Sequence, residues 1–259
     1  MDCMSHVVRS WLFHGRTTLA ATGVVLCLCA ATTSNVSADA PPLTLLVDTG
    51  MFGKQVQLIP NTVSASGTGT YYGTVLGASD IWSLDYSLLA QGSAFSAWNQ
   101  GSITFRNLTA EVRDFHITLI MPVATSASMT SLYNGSLGGS LIANAGGGQF
   151  TSLSGLSLFQ SSANGNAIAS LFNSPLSVTR TTAGASSIGY QAFGGTTPSL
   201  PGPEFVGNIA YQLHFSLTGG DAVVFTAALG GLGTPVPAPG ALALLGIAAV
   251  TGLGRRRRN

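Results

Sequence analysis

From Pro41 onward apolar and polar residues alternate over short runs that are separated by Gly, Ser, Asn and Pro. In Ile81 to Leu88, Trp82, Leu84, Tyr86 and Leu88 fall on one side and Ser83, Asp85 and Ser87 on the other. Phe115, Ile117, Leu119 and Met121 separate in the same way from His116 and Thr118, with Pro122 ending the run. Tyr211, Leu213, Phe215 and Leu217 oppose Gln212, His214 and Ser216. A period of two is the mark of a strand with one buried face. Ile103 and Phe105 point inward in a further strand, Ser102 to Arg106. After Leu217, Thr218-Gly219-Gly220-Asp221 turns the chain and Ala222 to Ala228 is expected back as a hairpin partner.

The middle, Ser126 to Thr197, is dense in Gly, Ser and Asn, yet Leu141, Ile142, Phe150, Leu158, Phe159, Leu171 and Phe172 keep returning. Purely disordered chains lack such residues, so short strands joined by flexible loops are expected. Ala167 to Phe172 is the best candidate for a short helical turn, and Pro198 to Pro203 reads as an edge crossing. No fixed repeat occurs, which excludes a solenoid or propeller. The expected fold is mainly β: one antiparallel β-sandwich, jelly-roll-like, over residues 39–235.

The two ends follow different rules. In residues 1–38, Arg9 and Arg16 precede the apolar stretch Leu19 to Ala31 and the small residues Val36-Ser37-Ala38, so a secretory signal peptide cut between Ala38 and Asp39 is expected. An uncleaved anchor is the alternative. Residues 236–259 run Val236-Pro237-Ala238-Pro239-Gly240, then an uncharged apolar segment to Gly254, then Arg255-Arg256-Arg257-Arg258. The prolines stop a strand, the apolar segment satisfies its backbone in lipid only as a helix, and the arginines stay cytoplasmic. Gly240 to Gly254 is 15 residues, about 22 Å of helix against a hydrocarbon core of about 30 Å. That shortfall suits a temporary signal better than a permanent anchor or a core helix.

This tail resembles the PEP-CTERM sorting signal of exported bacterial proteins, with Ala238 where the name-giving motif has Glu. The resemblance implies a membrane-embedded protease of the exosortase type that acts at the proline motif. The body also resembles uncharacterised extracellular proteins with such a tail, through Ile103-Thr104-Phe105-Arg106-Asn107-Leu108-Thr109 with Asp114-Phe115, and through Phe215-Ser216-Leu217-Thr218-Gly219-Gly220-Asp221.

Only 7% of the 259 residues are charged, against about a quarter in ordinary soluble domains. Between Asp39 and Pro235, Lys54, Arg106, Arg113 and Arg180 meet Asp48, Asp80, Asp85, Glu111, Asp114, Glu204 and Asp221, a net charge of −3. Nothing there builds a basic face for nucleic acid. Cys3, Cys27 and Cys29 all lie in the leader, so the body has neither a disulfide framework nor a cysteine metal site.

Candidate chemistry is sparse. A glycosidase needs two facing carboxylates, for which Glu111 and Glu204 are available, but both sit in loop-like contexts that suit solvated charges. His116 and His214 fall on the polar sides of their strands and would approach each other if those strands paired, with no third metal ligand set by spacing. Asp48, Asp80 or Asp221 could serve a scattered Ca²⁺ site. The nucleophile elbow and the phosphate loop are absent. Trp82 and Tyr86 fit the buried face of their strand, whereas Trp98 and the pair Tyr71-Tyr72, near glycine-rich turns, are the candidates for stacking on sugar. The sequons at Asn107 and Asn134 read as chance beside this tail.

The sequence therefore points to an exported, non-enzymatic envelope or matrix protein without a cofactor, bound to the membrane at least transiently and handled by an exosortase-like protease. A carbohydrate-binding sandwich acting on exopolysaccharide is the alternative, and a secreted hydrolase with dispersed carboxylates is a third reading.

Overall fold

The computed structural model describes residues 40–50, 53–123, 129–204 and 206–235. The expected signal peptide, the expected cleavage pair Ala38 and Asp39, the expected sorting motif Val236 to Gly240 and the cluster Arg255 to Arg258 lie outside the described residues. Among the described residues no helix is long and apolar enough to cross a membrane.

The described chain forms strands β1 (Leu43–Asp48), β2 (Gly53–Leu58), β3 (Thr62–Val63), β4 (Gly69–Leu76), β5 (Trp82–Gly92), β6 (Ser96–Asn107), β7 (Arg113–Pro122) and β8 (Met129–Ala143). It continues with β9 (Gly148–Ser152), β10 (Phe159–Ala163), β11 (Asn166–Leu171), β12 (Ser177–Arg180), β13 (Gly184–Phe193), β14 (Leu200–Pro201), β15 (Asn208–Leu217) and β16 (Ala222–Pro235). They build two antiparallel sheets in a sandwich-like arrangement. One runs β11-β10-β15-β7-β1-β2, with β9 also on β15 and β12 on β9; the other runs β13-β8-β16-β6-β5-β4-β3, with β14 on β8. They are called here the β15 sheet and the β16 sheet.

The alternation seen in the sequence is what lets the sheets stack. Phe115, Ile117, Leu119 and Met121 of β7 are fully buried, while His116 and Thr118 between them are partly exposed. Phe105 and Phe225 of the β16 sheet meet Phe115, Phe150 and Phe215 of the β15 sheet, and Trp82 stacks on Phe105 within its own sheet. Ring centroids lie 4.4 Å apart for Phe105 and Phe115, 5.3 Å for Phe215 and Phe225, and 5.9 Å for Phe150 and Phe225. Tilted and edge-on pairs of this kind each add about 0.5–1.5 kcal/mol to the area they bury.

Three expectations need correction. The segment after Gly219-Gly220 is a strand, but it does not pair with β15. β15 lies between β10 and β7, whereas β16 inserts between β6 and β8 in the facing sheet. Asn107, at the end of β6, holds this arch open. Its amide Nδ2 donates to the carbonyls of Leu217 (2.9 Å) and Glu111 (2.7 Å), its backbone N–H donates to the Asp221 carbonyl (3.0 Å), and Gly220 N–H donates to the Asn107 carbonyl (2.9 Å). The two stretches that carry the body's resemblance thus meet at one joint. Asn107 is fully buried, so its sequon presents no accessible amide.

The helical turn expected at Ala167 to Phe172 is strand instead: β11 pairs with β10 around an irregularity at Ser161/Ser162. There Ser161 Oγ accepts from Ala169 N–H at 3.2 Å and donates to the Ala169 carbonyl at 3.0 Å. The reading of the glycine-rich middle needs correcting in part: β9 to β12 are short strands of 4–6 residues as expected, but β8 and β13 are long. β8 runs for 15 residues through Gly135, Gly138 and Gly139. A Cβ at Gly139 would meet Val224 O at 2.9 Å, and one at Gly135 would meet the Phe193 ring at 2.7 Å. These glycines make room for neighbouring strands and rings rather than breaking the strand.

Candidate functional site

The outer face of the β16 sheet carries two exposed tyrosines, Tyr72 and Tyr190, while exposed Phe95 lies in the connection between β5 and β6. The strand register places Tyr72 of β4, Ser87 of β5, Ser102 of β6, Thr226 of β16, Gly138 of β8 and Tyr190 of β13 in one row across the strands. Six strands at about 4.8 Å spacing make this row about 24 Å long. Its terminal tyrosines are the open ones, Tyr72 at 56% exposure and Tyr190 at 71%. A bulge between Ser187 and Gly189 aims Tyr190 outward, since without the extra residue it would share the inward side of buried Ile188.

The next row holds Leu89, Gln100, Ala228, Ser136 and Ala192, and the row beyond it Gln91, Trp98, Gly230 and Asn134. Trp98 Nε1 donates to Gln91 Oε1 at 3.2 Å, and Gln91 Nε2 donates to the Ser66 carbonyl at 2.7 Å, which steadies the indole. Asn134 Nδ2 donates to the Thr196 carbonyl at 3.2 Å and so draws the 194–198 segment over the sheet. Between them lies a trough of about 330 Å³ lined by Trp98, Gln100, Asn134, Thr196, Pro198 and Leu232. It continues along Gln100 and Ala228 into a second hollow of about 500 Å³ bordered by Ser87, Leu89, Ser102, Ser136 and Thr226. None of these lining side chains is charged. Such a surface offers flat rings for stacking and hydroxyls and amides for hydrogen bonds, with no cation to hold a phosphate or carboxylate.

Of the aromatic candidates from the sequence, Trp98 sits in the trough and Tyr72 at the end of the row. Tyr71 is a correction: it is fully buried, its hydroxyl donates to the Pro41 carbonyl, and burial pushes its pKa up to about 12. One residue of strand parity separates the two tyrosines. Trp82 is buried and Tyr86 packs against the core, as the alternation implies. Tyr190, Gln100 and Asn134 carry no sequence signal for this surface, because only the register and the bulge bring them to it.

The ionisable candidates are scattered. Glu111 is exposed and stands 4.0 Å from Arg113, a surface pair, and Glu204 is exposed beyond β14. Asp48 ends β1, Asp80 lies in the 3-10 turn Ala78–Asp80, and Asp221 immediately precedes β16, so the three suggested Ca²⁺ ligands sit in different parts of the fold. Among the described residues no three His, Cys, Asp or Glu side chains are grouped to surround a metal ion.

Asp221 is 1% exposed; its Oδ1 accepts Asn144 N–H at 2.9 Å, Oδ2 has no partner, and burial raises its pKa against that bond. It sits with Asn107 at the joint between the sheets and is structural. His116 and His214 do meet, directly opposed on β7 and β15 with ring centroids 5.2 Å apart. Burial lowers the His214 pKa; the Ser157 carbonyl works the other way and His116 adds to the lowering.

No family model matches the chain, and no curated protein matches it. Among solved structures the chain is similar to TmCBM61 in complex with beta-1,4-galactotriose, at 13% identity and a TM-score of 0.26, over 50% of this chain and 69% of that one.

Proposed function

We propose that this is an exported, non-enzymatic β-sandwich protein that binds neutral polysaccharide on the outer face of the β16 sheet. The observation that carries the binding is the uncharged surface itself: a seated indole, Trp98, beside a hydroxyl- and amide-lined trough, with Tyr72 and Tyr190 at the ends of the adjoining row. Pyranose rings present C–H faces that stack on flat aromatics and hydroxyls that pair with Gln100, Asn134 and the Ser/Thr side chains. The connections β6 to β7, β7 to β8, β8 to β9 and β15 to β16 each pass from one sheet to the other, which supports a jelly-roll-like winding.

Export rests on the residues at the two ends. The leader through Ala38 and the tail Val236 to Gly240 with Arg255 to Arg258 send the body outward, and an exosortase-like protease removes the tail.

Affinity electrophoresis of the full-length protein through gels cast with neutral polysaccharides tests the binding. Retardation by at least one polymer is expected, and Trp98→Ala should weaken it about tenfold or more, as loss of an aromatic anchor does. Migration identical with and without every polymer, or retardation untouched by Trp98→Ala, refutes the assignment. Mass spectrometry of secreted material tests the ends: a chain starting at Asp39 and lacking the final arginines is expected, and secreted chains that retain Arg255 to Arg258 contradict processing.

A further inference from the structure

The outer face of the β15 sheet carries a different chemistry. His116 and His214 face each other across β7 and β15, and β1 places Asp48 opposite His116 on its other side, so Asp48, His116 and His214 form a row over three adjacent strands. The imidazole centroids are 5.2 Å apart with the rings inclined at 64°. His214 Nδ1 lies 3.2 Å from the Ser157 carbonyl oxygen. A carbonyl only accepts, so Nδ1 carries the proton and Nε2 keeps a bare lone pair. Metal-binding histidines are held in this manner, the second nitrogen donating to a carbonyl that fixes tautomer and ring orientation.

Geometry supplies the rest. Two imidazoles on one tetrahedral ion, each with a metal–nitrogen bond of about 2.0–2.1 Å, have centroids about 5 Å apart. The observed separation already has that value. We infer that His116 and His214 form a chelating pair for a divalent transition ion of the Zn²⁺ type, with the Asp48 carboxylate as third ligand and water completing the shell. Imidazole ligands favour Zn²⁺ and Cu²⁺ over Ca²⁺ or Mg²⁺. Asp48 Oδ1 now accepts Gly50 N–H at 2.8 Å in an exposed turn, a bond that water replaces when the side chain rotates toward His116. As the side chains stand, no three of these groups already surround an ion; the two rings face each other across the strands, and the carboxylate closes only when the ion binds.

Calorimetric titration of Zn²⁺ into the untagged full-length protein at pH 7.5 tests this, with Cys3, Cys27 and Cys29 alkylated so that thiols do not compete. A saturable site is expected that His116→Ala weakens about tenfold or more and Asp48→Asn weakens several-fold, while excess Mg²⁺ leaves it unchanged. His116 is partly exposed, so its variant keeps the fold even if replacement of buried His214 does not. Absence of saturable Zn²⁺ uptake, or uptake unmoved by His116→Ala and therefore owed to His6 or His14, overturns the inference.

Discussion

Gly148→Ala is the sharpest probe of how the two sheets are joined. A Cβ built there would lie 1.8 Å from Asp221 Oδ2 and 2.5 Å from its Cγ, far inside contact distance. The carboxylate has little room to retreat, because Asp221 is 1% exposed and its Oδ1 is bonded to Asn144 N–H at 2.9 Å. Forcing a methyl group into a packed site costs about 1–3 kcal/mol. Pushing the carboxylate off its N–H donor forfeits a hydrogen bond to a charged group, about 1.5–3 kcal/mol more. The expected loss is therefore about 2.5–6 kcal/mol, a large share of the 5–15 kcal/mol that typical domains possess. Urea unfolding followed by the fluorescence of buried Trp82 measures it, in a cycle with Asp221→Ala. In the Asp221→Ala background the same glycine change should cost less than about 1 kcal/mol, since the methyl then has space. A loss below about 1 kcal/mol in the parent chain, or an equal loss in both backgrounds, would refute the reasoning.

Three further outcomes follow from the same structure. Asn107→Asp keeps the shape but turns two N–H donors toward Leu217 and Glu111 into an acceptor, so urea unfolding should show a loss of about 3 kcal/mol or more, and a silent substitution would contradict the joint. Because the folded pKa of His214 is below its ordinary 6.5, this residue's contribution is complete above about pH 6.5 and is lost as pH falls through the lowered value. His214→Gln should flatten the acid limb of a melting profile between pH 7 and 5. Asp221 has the opposite sign. Its folded pKa is above 3.8, so its penalty is absent below 3.8 and grows as pH rises through the folded value; Asp221→Asn should remove that decline, and an unchanged slope would show that the carboxyl is not the cause.

Alternation told which side of each strand is buried because burial of one sheet face requires it, and Trp82, Phe105, Phe115 and Phe215 sit where the pattern puts them. It could not tell which strand lies beside which. The turn Thr218 to Asp221 suits a hairpin as well as an arch, and the choice is made by Asn107, more than a hundred residues away. Glycine misled in β8, where its lack of a side chain serves Val224 and Phe193 rather than a turn. The candidate face was half legible: Trp98 and Tyr72 stand out as aromatics near glycine, but Tyr190 reaches the same surface only through a bulge. The approach of His116 and His214 was conditional on strand pairing, and Asp48 joins them through a third strand that no spacing rule connects.

β16 is the last described strand, yet it occupies the middle of its sheet between β6 and β8. Until residues 222–235 arrive, those two partners have raw, unpaired borders and the sheet is split in halves. Closure waits on distant partners, which makes assembly slow and leaves the sheet open until those residues have been delivered. A molecule that cannot lock early remains threadable, and the same delay exposes two sticky margins to any neighbouring copy that reaches them before its own final strand does.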